Sequence, residues 1–314
     1  MSRSIVIALG GNAILRPDQA GTLEDQLESI TATVKRIADI VEAGHKIVLT
    51  HGNGPQVGAI LLQNELARDQ VPAMPLDVCG AQSQGFLGYA IQNRLQAVLK
   101  QRGLSSSVAS IVTQTLVSRD DPAFKNPTKP IGAFYSEDHA KARMGDREEQ
   151  WVEDAGRGWR RVVPSPDPAG IVEAEVIEAV VHSGAIVICS GGGGIPVIEE
   201  SDGGYRGVEA VIDKDFAAER LAESVGADTL LILTDVPEVY LNFNTPEQEA
   251  LRQICVEEAE KYHEQGHFKG GSMGPKVRAC IHFIRSGGSE GIITSLDHAM
   301  AALNGEAGTR VTPG

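Results

Sequence analysis

The sequence contains few cysteines and no long apolar run. Its four cysteines, which are far apart and form no C-x-x-C pair, are Cys79, Cys189, Cys255 and Cys280. Neither a disulfide scaffold nor a zinc knuckle is indicated, and a reducing cytoplasm fits this pattern best. No apolar stretch approaches the roughly 18 residues of a membrane span. The start, "MSRSIVIALGGN", lacks the charged lead, apolar stretch and cleavage site of a signal peptide. We therefore expect a cytoplasmic protein with no membrane partner.

Basic residues are outnumbered by acidic ones. The chain of 314 residues has 28 Lys and Arg against 42 Asp and Glu, which gives a net charge of −14. This balance argues against nucleic acid or an anionic membrane as the main partner. Basic residues gathered around a bound anion would then be a local exception.

Three common catalytic or nucleotide-binding motifs are also missing. The segment "GNGPQVG" has Val57 where the dinucleotide fingerprint requires its third glycine, and "GGGGIPV" lacks the lysine of a Walker-type loop. No G-x-S-x-G elbow is present. A bound nucleotide must therefore be held in another way.

What the sequence does have is a regular alternation of strand and helix patterns. Short apolar runs predict strands in "SIVIALGG", "KIVLTHGNG", "SVASIVTQTLV", "AIVICSGGGG", "TLLILTD" and "EGIITS". Helices are predicted from Leu27 to Val41, near Gln56 to Arg68 and near Gln82 to Gln101. This alternation indicates an open, mainly parallel α/β sheet, and the chain length favours two lobes.

Glycine turns follow several of these strands. They are Gly10-Gly11, Gly52-Asn53-Gly54 and the run Gly191 to Gly194. Ligands of open α/β sheets lie beyond the carboxyl ends of the strands, so we expect the three turns to face one cleft. For the run Gly191 to Gly194, a simple flexible turn remains the alternative.

One region interrupts the alternation. Residues 118–168, hereafter the insertion, are rich in Pro, Gly and charge and show little helix or core-strand periodicity. Loops of this length are usually either functional or disordered. The insertion contains the aromatic residues Phe124, Phe134, Tyr135, Trp151 and Trp159. These favour an ordered excursion, and we interpret it as a lid.

The stretch "HEQGHFKGGSMGPK" combines a metal motif with a glycine-rich turn. The H-E-x-x-H spacing of zinc peptidases requires both His263 and His267 on one continuous helix. Gly266 lies between them, and glycine is strongly preferred just past a helix end. Gly266 therefore argues against a zinc site, although a zinc peptidase remains an alternative, and the following "GGSMGPK" is interpreted as a phosphate-binding turn that leads to Lys276.

Lysines and aspartates provide the positive signal. Lys214 lies between Asp213 and Asp215 at a predicted helix start, and Lys276 lies at another. Helix N-termini attract anions, and a nearby lysine adds a full positive charge. Each lysine alone is compatible with a solvated surface residue. In combination with the glycine turns, Lys129 in the insertion and Asp235 at a strand end, they favour a phosphate ligand.

At this level of detail the sequence resembles the amino-acid kinase family over essentially its whole length. The matching segments are "ALGGNA", "THGNGPQVG", "KPIG", "GWRRVVPSP", "CSGGGGIPV", "AVIDKD", "LTDV", "VYLNF" and "FKGGSMGPKV". "GWRRVVPSP" and "GNGPQVG" resemble the branch of the family that phosphorylates carbamate. The resemblance implies the reaction ATP + carbamate = ADP + carbamoyl phosphate, run towards ATP in arginine catabolism.

The same resemblance implies a three-layer α/β/α architecture with a mainly parallel sheet. Residues 1–212 would form the carbamate and carbamoyl phosphate lobe, including a small protruding subdomain at about 118–168, and residues 213–314 the ATP and ADP lobe. The family also implies Mg²⁺ as cofactor and a homodimer in the cytoplasm. We expect no metal ligands of the protein's own.

Roles for individual residues follow from the resemblance alone. Lys214 would bridge the transferred phosphoryl group and the carbamate, Lys276 would neutralise the phosphates on the leaving side, and Lys129 would reach in from the insertion. Asp215 would hold the lysines in place. The expected substrate-binding residues are Gly10, Gly11, Asn12, Gly52, Asn53, Gly191, Gly192, Gly193 and Gly194. The expected nucleotide-binding residues are Lys214, Asp235, Tyr240, Met273 and Lys276. Because carbamate is already an anion, no general base is required.

Two alternatives differ from this interpretation in class or substrate. A sister kinase acting on another small anion would share the glycine turns and lysines but need a larger acceptor pocket. A non-catalytic nucleotide sensor of the same fold would not need all three lysines.

Overall fold

The structure is a computed structural model that describes residues 2–147, 149–154, 156–268 and 273–314. Its strands are, in chain order, β1 (Ser4–Leu9), β2 (Lys46–His51), β3 (Val108–Ser110), β4 (Gln114–Val117), β5 (Lys129–Tyr135), β6 (Gln150–Glu153), β7 (Trp159–Val163), β8 (Pro168–Ile171), β9 (Ile186–Ile188), β10 (Ile195–Glu199), β11 (Tyr205–Gly207), β12 (Thr229–Thr234), β13 (Val239–Leu241), β14 (Glu249–Leu251), β15 (Gln253–Cys255), β16 (Glu290–Ser295) and β17 (Thr309–Thr312).

The α-helices are α1 (Leu23–Glu42), α2 (Gly54–Ala67), α3 (Leu76–Gln101), α4 (Glu137–Arg147), α5 (Ala174–His182), α6 (Lys214–Ser224), α7 (Val256–Glu264), α8 (Met273–Arg285) and α9 (Ala299–Leu303). In the part of the chain that the structure describes, none of these helices is long and apolar enough to cross a membrane.

The main sheet has eight strands in the order β15-β17-β16-β12-β1-β2-β9-β3. Strands β3, β9, β2, β1, β12 and β16 are parallel, and β17 pairs antiparallel with β16. The carboxyl ends of the six parallel strands therefore lie at one edge of the sheet, where the glycine turns follow. This confirms the predicted open, mainly parallel α/β sheet.

Alternating side chains of the central strand β1 show that the sheet is covered on both faces. Ile5, Ile7 and Leu9 pack into one core with α1, α3 and α9. Val6 and Ala8 pack into a second core with α5, α6, α7 and α8. Successive side chains of a strand point to opposite faces, so the continuous apolar run of β1 serves both cores. The three-layer α/β/α architecture follows.

The segment "SVASIVTQTLV" forms two strands, where the sequence indicates one. Strand β3 is an edge of the main sheet, whereas β4 belongs to a second sheet in the order β11-β10-β4-β8. The amide side chain of Gln84 accepts from Thr113 N and donates to Thr113 O. Thr113 O also accepts from Ile195 N at 2.9 Å, at the point where β4 begins to pair with β10. These bonds satisfy the backbone of Thr113 where the chain leaves the main sheet and enters the second one.

Helix α3 begins at Leu76, six positions before the predicted start near Gln82. Pro75 occupies its N-cap position, and proline is tolerated there because no backbone N–H is needed. The polar first turn hides this start from a search for apolar periodicity.

The described residues of the insertion form regular structure, as its aromatic content indicates. Strands β5, β7 and β6 form an antiparallel sheet of their own. Trp151 is buried beside Tyr135, with the ring centroids 5.4 Å apart. Helix α4 was not predicted, because its sequence "EDHAKARMGDR" is almost entirely polar and shows no apolar stripe.

Candidate active site

A cavity lies at the carboxyl edge of the main sheet and is partly covered by the insertion. We refer to it as the central cavity. It is lined by Gly11, Gly52, Asn53, Gly54, Pro55, Val57, Lys129, Pro130, Ile131, Arg160, Gly192, Val211, Ile212, Asp213, Lys214, Asp215 and Lys276. Three glycine turns, two helix starts and the insertion thus contribute to one space, as expected from the strand ends.

Three lysine ammonium groups in this cavity are held by two aspartates. Asp215 accepts from Lys214 at 2.5 Å through Oδ1 and from Lys276 at 3.2 Å through Oδ2. Lys129 donates to Asp213 Oδ2 at 2.9 Å. Lys276 is only 5% exposed and Asp215 only 3%. A buried charge is tolerated when it is paired, so the two aspartates make this concentration of positive charge stable.

The start of α6 places the central pair. Lys214 and Asp215 are its first two residues, and Asp213 is its N-cap, with Asp213 Oδ1 accepting from Asp215 N at 3.0 Å. Burial raises the pKa of Asp213, but the ion pair with Lys129 and the bond from Asp215 N outweigh it, so the pKa is lowered overall. The sequence suggested that this helix end attracts an anion through its free N–H groups. Here that donor is already satisfied by Asp213, and Lys214 supplies the positive charge.

Helix α2 offers the second helix start in the cavity. Its N-cap residue is Asn53, whose side chain makes no capping bond and instead donates to Ser83 Oγ at 2.8 Å. The first N–H groups of a helix have no partner within the helix, and Gly54 begins α2 on the cavity wall. Pro55 follows and carries no N–H, so this end offers an anion the N–H of Gly54 and the positive end of the helix dipole.

Side-chain contacts explain the glycine run after β9. A Cβ at Gly192, whose φ is +67°, would lie 2.2 Å from the amide nitrogen of Asn53. A Cβ at Gly193 would lie 2.4 Å from Ile212 O, and one at Gly194 would lie 2.0 Å from Thr115 Oγ1. The turn is therefore closely packed, and a side chain in it would displace Asn53, Ile212 or Thr115. The alternative of a simple flexible turn does not account for these contacts.

His51 lies beneath this wall. It is 1% exposed, its Nδ1 lies 2.9 Å from Gly52 O, and a Cβ at Gly191 would lie 2.5 Å from its Nε2. Burial lowers the pKa of His51 to about 4, against an opposing effect of the bond to Gly52 O. The imidazole is therefore neutral at neutral pH and supports two glycine turns without adding charge.

The remaining predicted residues lie around the cavity. Gly10 and Asn12 line an adjoining depression with Asp235, and Asn12 Nδ2 donates to Asp235 Oδ1 at 2.7 Å. Tyr240 lies on β13 with its ring 6.1 Å from that of Phe243. Met273 is the first residue of α8 and packs against the core beneath α6. The structure therefore joins Asp235 to the glycine turn of β1, and it places Tyr240 and Met273 outside the central cavity.

Two cavity residues received no role from the sequence. In the sequence Asp213 is one of two aspartates beside Lys214, and only its contact with Lys129 in the structure distinguishes it from Asp215. Arg160 reaches the cavity from β7, with Nε donating to Gly132 O and Nη1 to Asp154 Oδ2, both at 3.2 Å. The segment "GWRRVVPSP" contains Arg160, but a charged pair in a strand gives no indication of which arginine faces a ligand.

The H-E-x-x-H spacing does not form a metal site. Helix α7 ends at Glu264, and Gly266 adopts a φ of +85°, which separates His267 from the face of His263. Among the described residues no group of three His, Cys, Asp or Glu side chains could hold a metal ion. The predicted phosphate-binding turn before Lys276 includes residues 269–272, which lie outside the described residues.

The carboxyl edge of this open α/β sheet carries glycine turns and lysines held by carboxylates. Such a site provides the positioning and the positive charge that phosphoryl transfer requires, so its class is that of the phosphotransferases. A sequence model of the amino acid kinase family matches residues 3–295. The chain belongs to the amino-acid kinase family.

Individual relatives are similar along the whole chain. The carbamate kinase of Pyrococcus horikoshii is 55% identical over 317 residues, covering 100% of both chains. The carbamate kinase of Clostridium perfringens is 53% identical over 312 residues, covering 98% of this chain and 99% of the relative. The structure of the Giardia lamblia carbamate kinase bound to AMP-PNP has a TM-score of 0.95 and 47% identity, covering 100% of this chain and 99% of that one.

Proposed function

We propose that this protein catalyses the reversible reaction ATP + carbamate = ADP + carbamoyl phosphate. The observation that carries the proposal is the arrangement of Lys214, Lys276 and Lys129 around one cavity, each held by an aspartate. Similarity to carbamate kinases over the full chain supports the choice of substrate. Phosphoryl transfer needs in-line positioning and neutralisation of charge more than covalent chemistry, and these residues provide both.

Each of the three lysines neutralises the negative charge of a different part of the substrates. Lys214 contacts the transferred phosphoryl group and the carbamate, and Lys276 neutralises the phosphates on the leaving side. Lys129 approaches from the insertion and pairs with Asp213, the residue directly before Lys214. Asp215 holds Lys214 and Lys276 on its two oxygens, so their ammonium groups are positioned before the substrates arrive and need little reorganisation.

The acceptor end of the site is made of backbone donors and small residues. Gly11, Gly52, Asn53 and Gly192 line the central cavity, and Gly10 and Asn12 lie beside it. We assign the glycine turns, including Gly191, Gly193 and Gly194, to the carbamate and carbamoyl phosphate. Asp235, Tyr240 and Met273 are assigned to the nucleotide, together with Lys214 and Lys276.

Mg²⁺ enters this proposal with the nucleotide. Magnesium in such sites is usually held by one or two carboxylates plus substrate phosphates. Both oxygens of Asp215 are bonded to lysines, and no cluster of three ligands occurs among the described residues. These residues do not form a metal site of their own, so we derive no step through the metal.

Further parts of the proposal concern organisation. We assign residues 1–212 to the carbamate lobe, with the insertion as its protruding subdomain, and residues 213–314 to the nucleotide lobe. A homodimer in the cytoplasm, which makes ATP from carbamoyl phosphate during arginine catabolism, is the form that we propose for the working enzyme.

The test is to mix the protein with ADP, Mg²⁺ and carbamoyl phosphate and to measure ATP. Rapid ATP formation is expected, and a Lys214→Ala variant at equal concentration is the control for contaminating kinases. Acetyl phosphate and other acyl phosphates, offered in parallel, test the sister-kinase alternative. If ATP formed faster from another acyl phosphate, the acid of that acyl phosphate, and not carbamate, would be the substrate. Nucleotide binding without turnover of any of them would indicate a sensor.

A further inference from the structure

The carboxylate of Asp213 joins two parts of the active site. Its Oδ1 caps α6 through Asp215 N, and its Oδ2 accepts from Lys129, a residue 84 positions away in the insertion. The first bond fixes the helix start that carries Lys214 and Asp215. The second bond holds the first residue of β5. One side chain therefore connects the covering insertion to the helix that carries the central lysine.

We propose that Asp213 is a positioning residue, which holds the ammonium group of Lys129 over the central cavity. This inference rests on the proposed function, because Lys129 is taken to contact the phosphoryl group or the carbamate. Asp213 itself is not required to touch a substrate.

The need for such a residue follows from the environment of Lys129. Its side chain is 37% exposed and projects from a small sheet separate from the main one, whereas the Lys276 side chain is 6% exposed. A lysine with a flexible stem at a solvated position samples many rotamers, which costs entropy whenever it must meet a ligand. An ion pair at 2.9 Å reduces this freedom. The lowered pKa of Asp213 keeps its carboxylate charged across the neutral range.

The capping role of Asp213 can be separated from the holding role. Asparagine caps helices about as well as aspartate, so Asp213→Asn retains an acceptor for Asp215 N while removing the charge that pairs with Lys129. Asp213→Ala removes both. If only the cap mattered, the asparagine variant would behave like the unmodified protein.

The kinetic test is a double-mutant cycle with Asp213→Asn and Lys129→Met, measured as kcat/KM for carbamoyl phosphate. Asp213→Asn is expected to lower kcat/KM by about 10-fold to 100-fold, the size of effect produced by small misplacements of catalytic groups. In the Lys129→Met background the same substitution should change kcat/KM less than about twofold, because the group it positions is gone. An unchanged kcat/KM for Asp213→Asn would overturn the inference. So would an equal loss in both backgrounds, since Asp213 would then act through α6.

A second readout does not depend on turnover. The amine of Lys129 is labelled with a water-soluble acylating reagent. The rate of this labelling is followed by peptide mass spectrometry in the unmodified protein and in the Asp213→Asn variant. Labelling of Lys129 should accelerate severalfold in the variant, while the exposed Lys46 at the start of β2 should react at the same rate. Equal Lys129 rates in both proteins would contradict the positioning role. If the unmodified protein made no ATP, the proposed reaction would fail, but this labelling result would still decide the link between Asp213 and Lys129.

Discussion

Lys214 and Lys276 share a single carboxylate: their ammonium groups lie 2.5 and 3.2 Å from the two oxygens of Asp215. The two lysines come from different helices, α6 and α8, which pack against each other. Asp215 thus fixes the distance between two positive charges that would otherwise repel each other. The two ammonium groups are therefore already in position when a substrate phosphate binds to them.

Removal of either lysine is expected to abolish most of the turnover. Lys214→Ala and Lys276→Ala should each lower kcat by about 10³-fold or more, since each removes charge from the transferred phosphates. Lys214→Met and Lys276→Met retain much of the apolar stem and should lose as much, because charge and not packing is missing. Circular dichroism checks that the fold is intact, and Lys46→Ala is the surface control. Near-normal activity of either alanine variant would remove that lysine from the mechanism.

Loss of Lys129 is expected to separate catalysis from nucleotide binding. Lys129→Ala should lower kcat/KM for carbamoyl phosphate by about 10²-fold, because a charge that faces the acceptor is lost. The affinity for ADP, measured by calorimetry, should change less than about threefold, since the nucleotide is assigned to residues outside the insertion. Lys125→Ala, an exposed lysine of the same insertion, should leave both quantities unchanged. Loss of ADP binding in Lys129→Ala would show that the insertion contacts the nucleotide.

Gly192 and Gly203 provide a matched pair for testing the glycine turn. Both have a positive φ, +67° and +82°, but a Cβ at Gly192 would collide with Asn53, whereas a Cβ at Gly203 meets nothing within 4 Å. Each alanine variant should lose about 1 kcal/mol of stability through backbone strain alone. Only Gly192→Ala should also lower kcat/KM, by about tenfold or more, because the displaced Asn53 borders the acceptor site. Chemical denaturation and steady-state kinetics on both variants check this, and equal kinetics would show that the turn has no part in the site.

His51 should make the protein less stable in mild acid. Burial lowers its pKa from 6.5 to about 4, so the unfolded chain binds a proton there more readily than the folded protein does. The stability linked to His51 is fully present above pH 6.5 and is lost as the pH falls towards 4, by up to about 3 kcal/mol. Urea unfolding at pH 7.5, 6 and 5 should show this loss, and His51→Asn should show a smaller one. Parallel pH dependences of the two proteins would mean that His51 is protonated without cost.

The sequence indicated much of the architecture because the relevant signals are local. Apolar runs such as those of β1 and β2 are long enough to identify buried strands, and the glycines that follow them mark the carboxyl edge of the sheet. The polar helix α4 and the division of β3 from β4 were not predicted. The first lacks an apolar stripe, and the second depends on hydrogen bonds from Gln84, a residue of α3 that lies 29 positions away from Thr113.

By itself the sequence determined the family resemblance, the strand ends with their glycine turns, and the three lysines to which we assign the chemistry. It also showed that His263 and His267 are separated by a helix-ending glycine. Only the tertiary structure decided which carboxylate holds which lysine. In the sequence, Asp213 and Asp215 each lie next to Lys214 and are equivalent partners for it. In the structure, Asp213 pairs with Lys129 and Asp215 pairs with Lys276. Those partners lie 84 and 61 positions away, and such distant contacts are fixed by how the insertion and α8 pack, which no local pattern specifies.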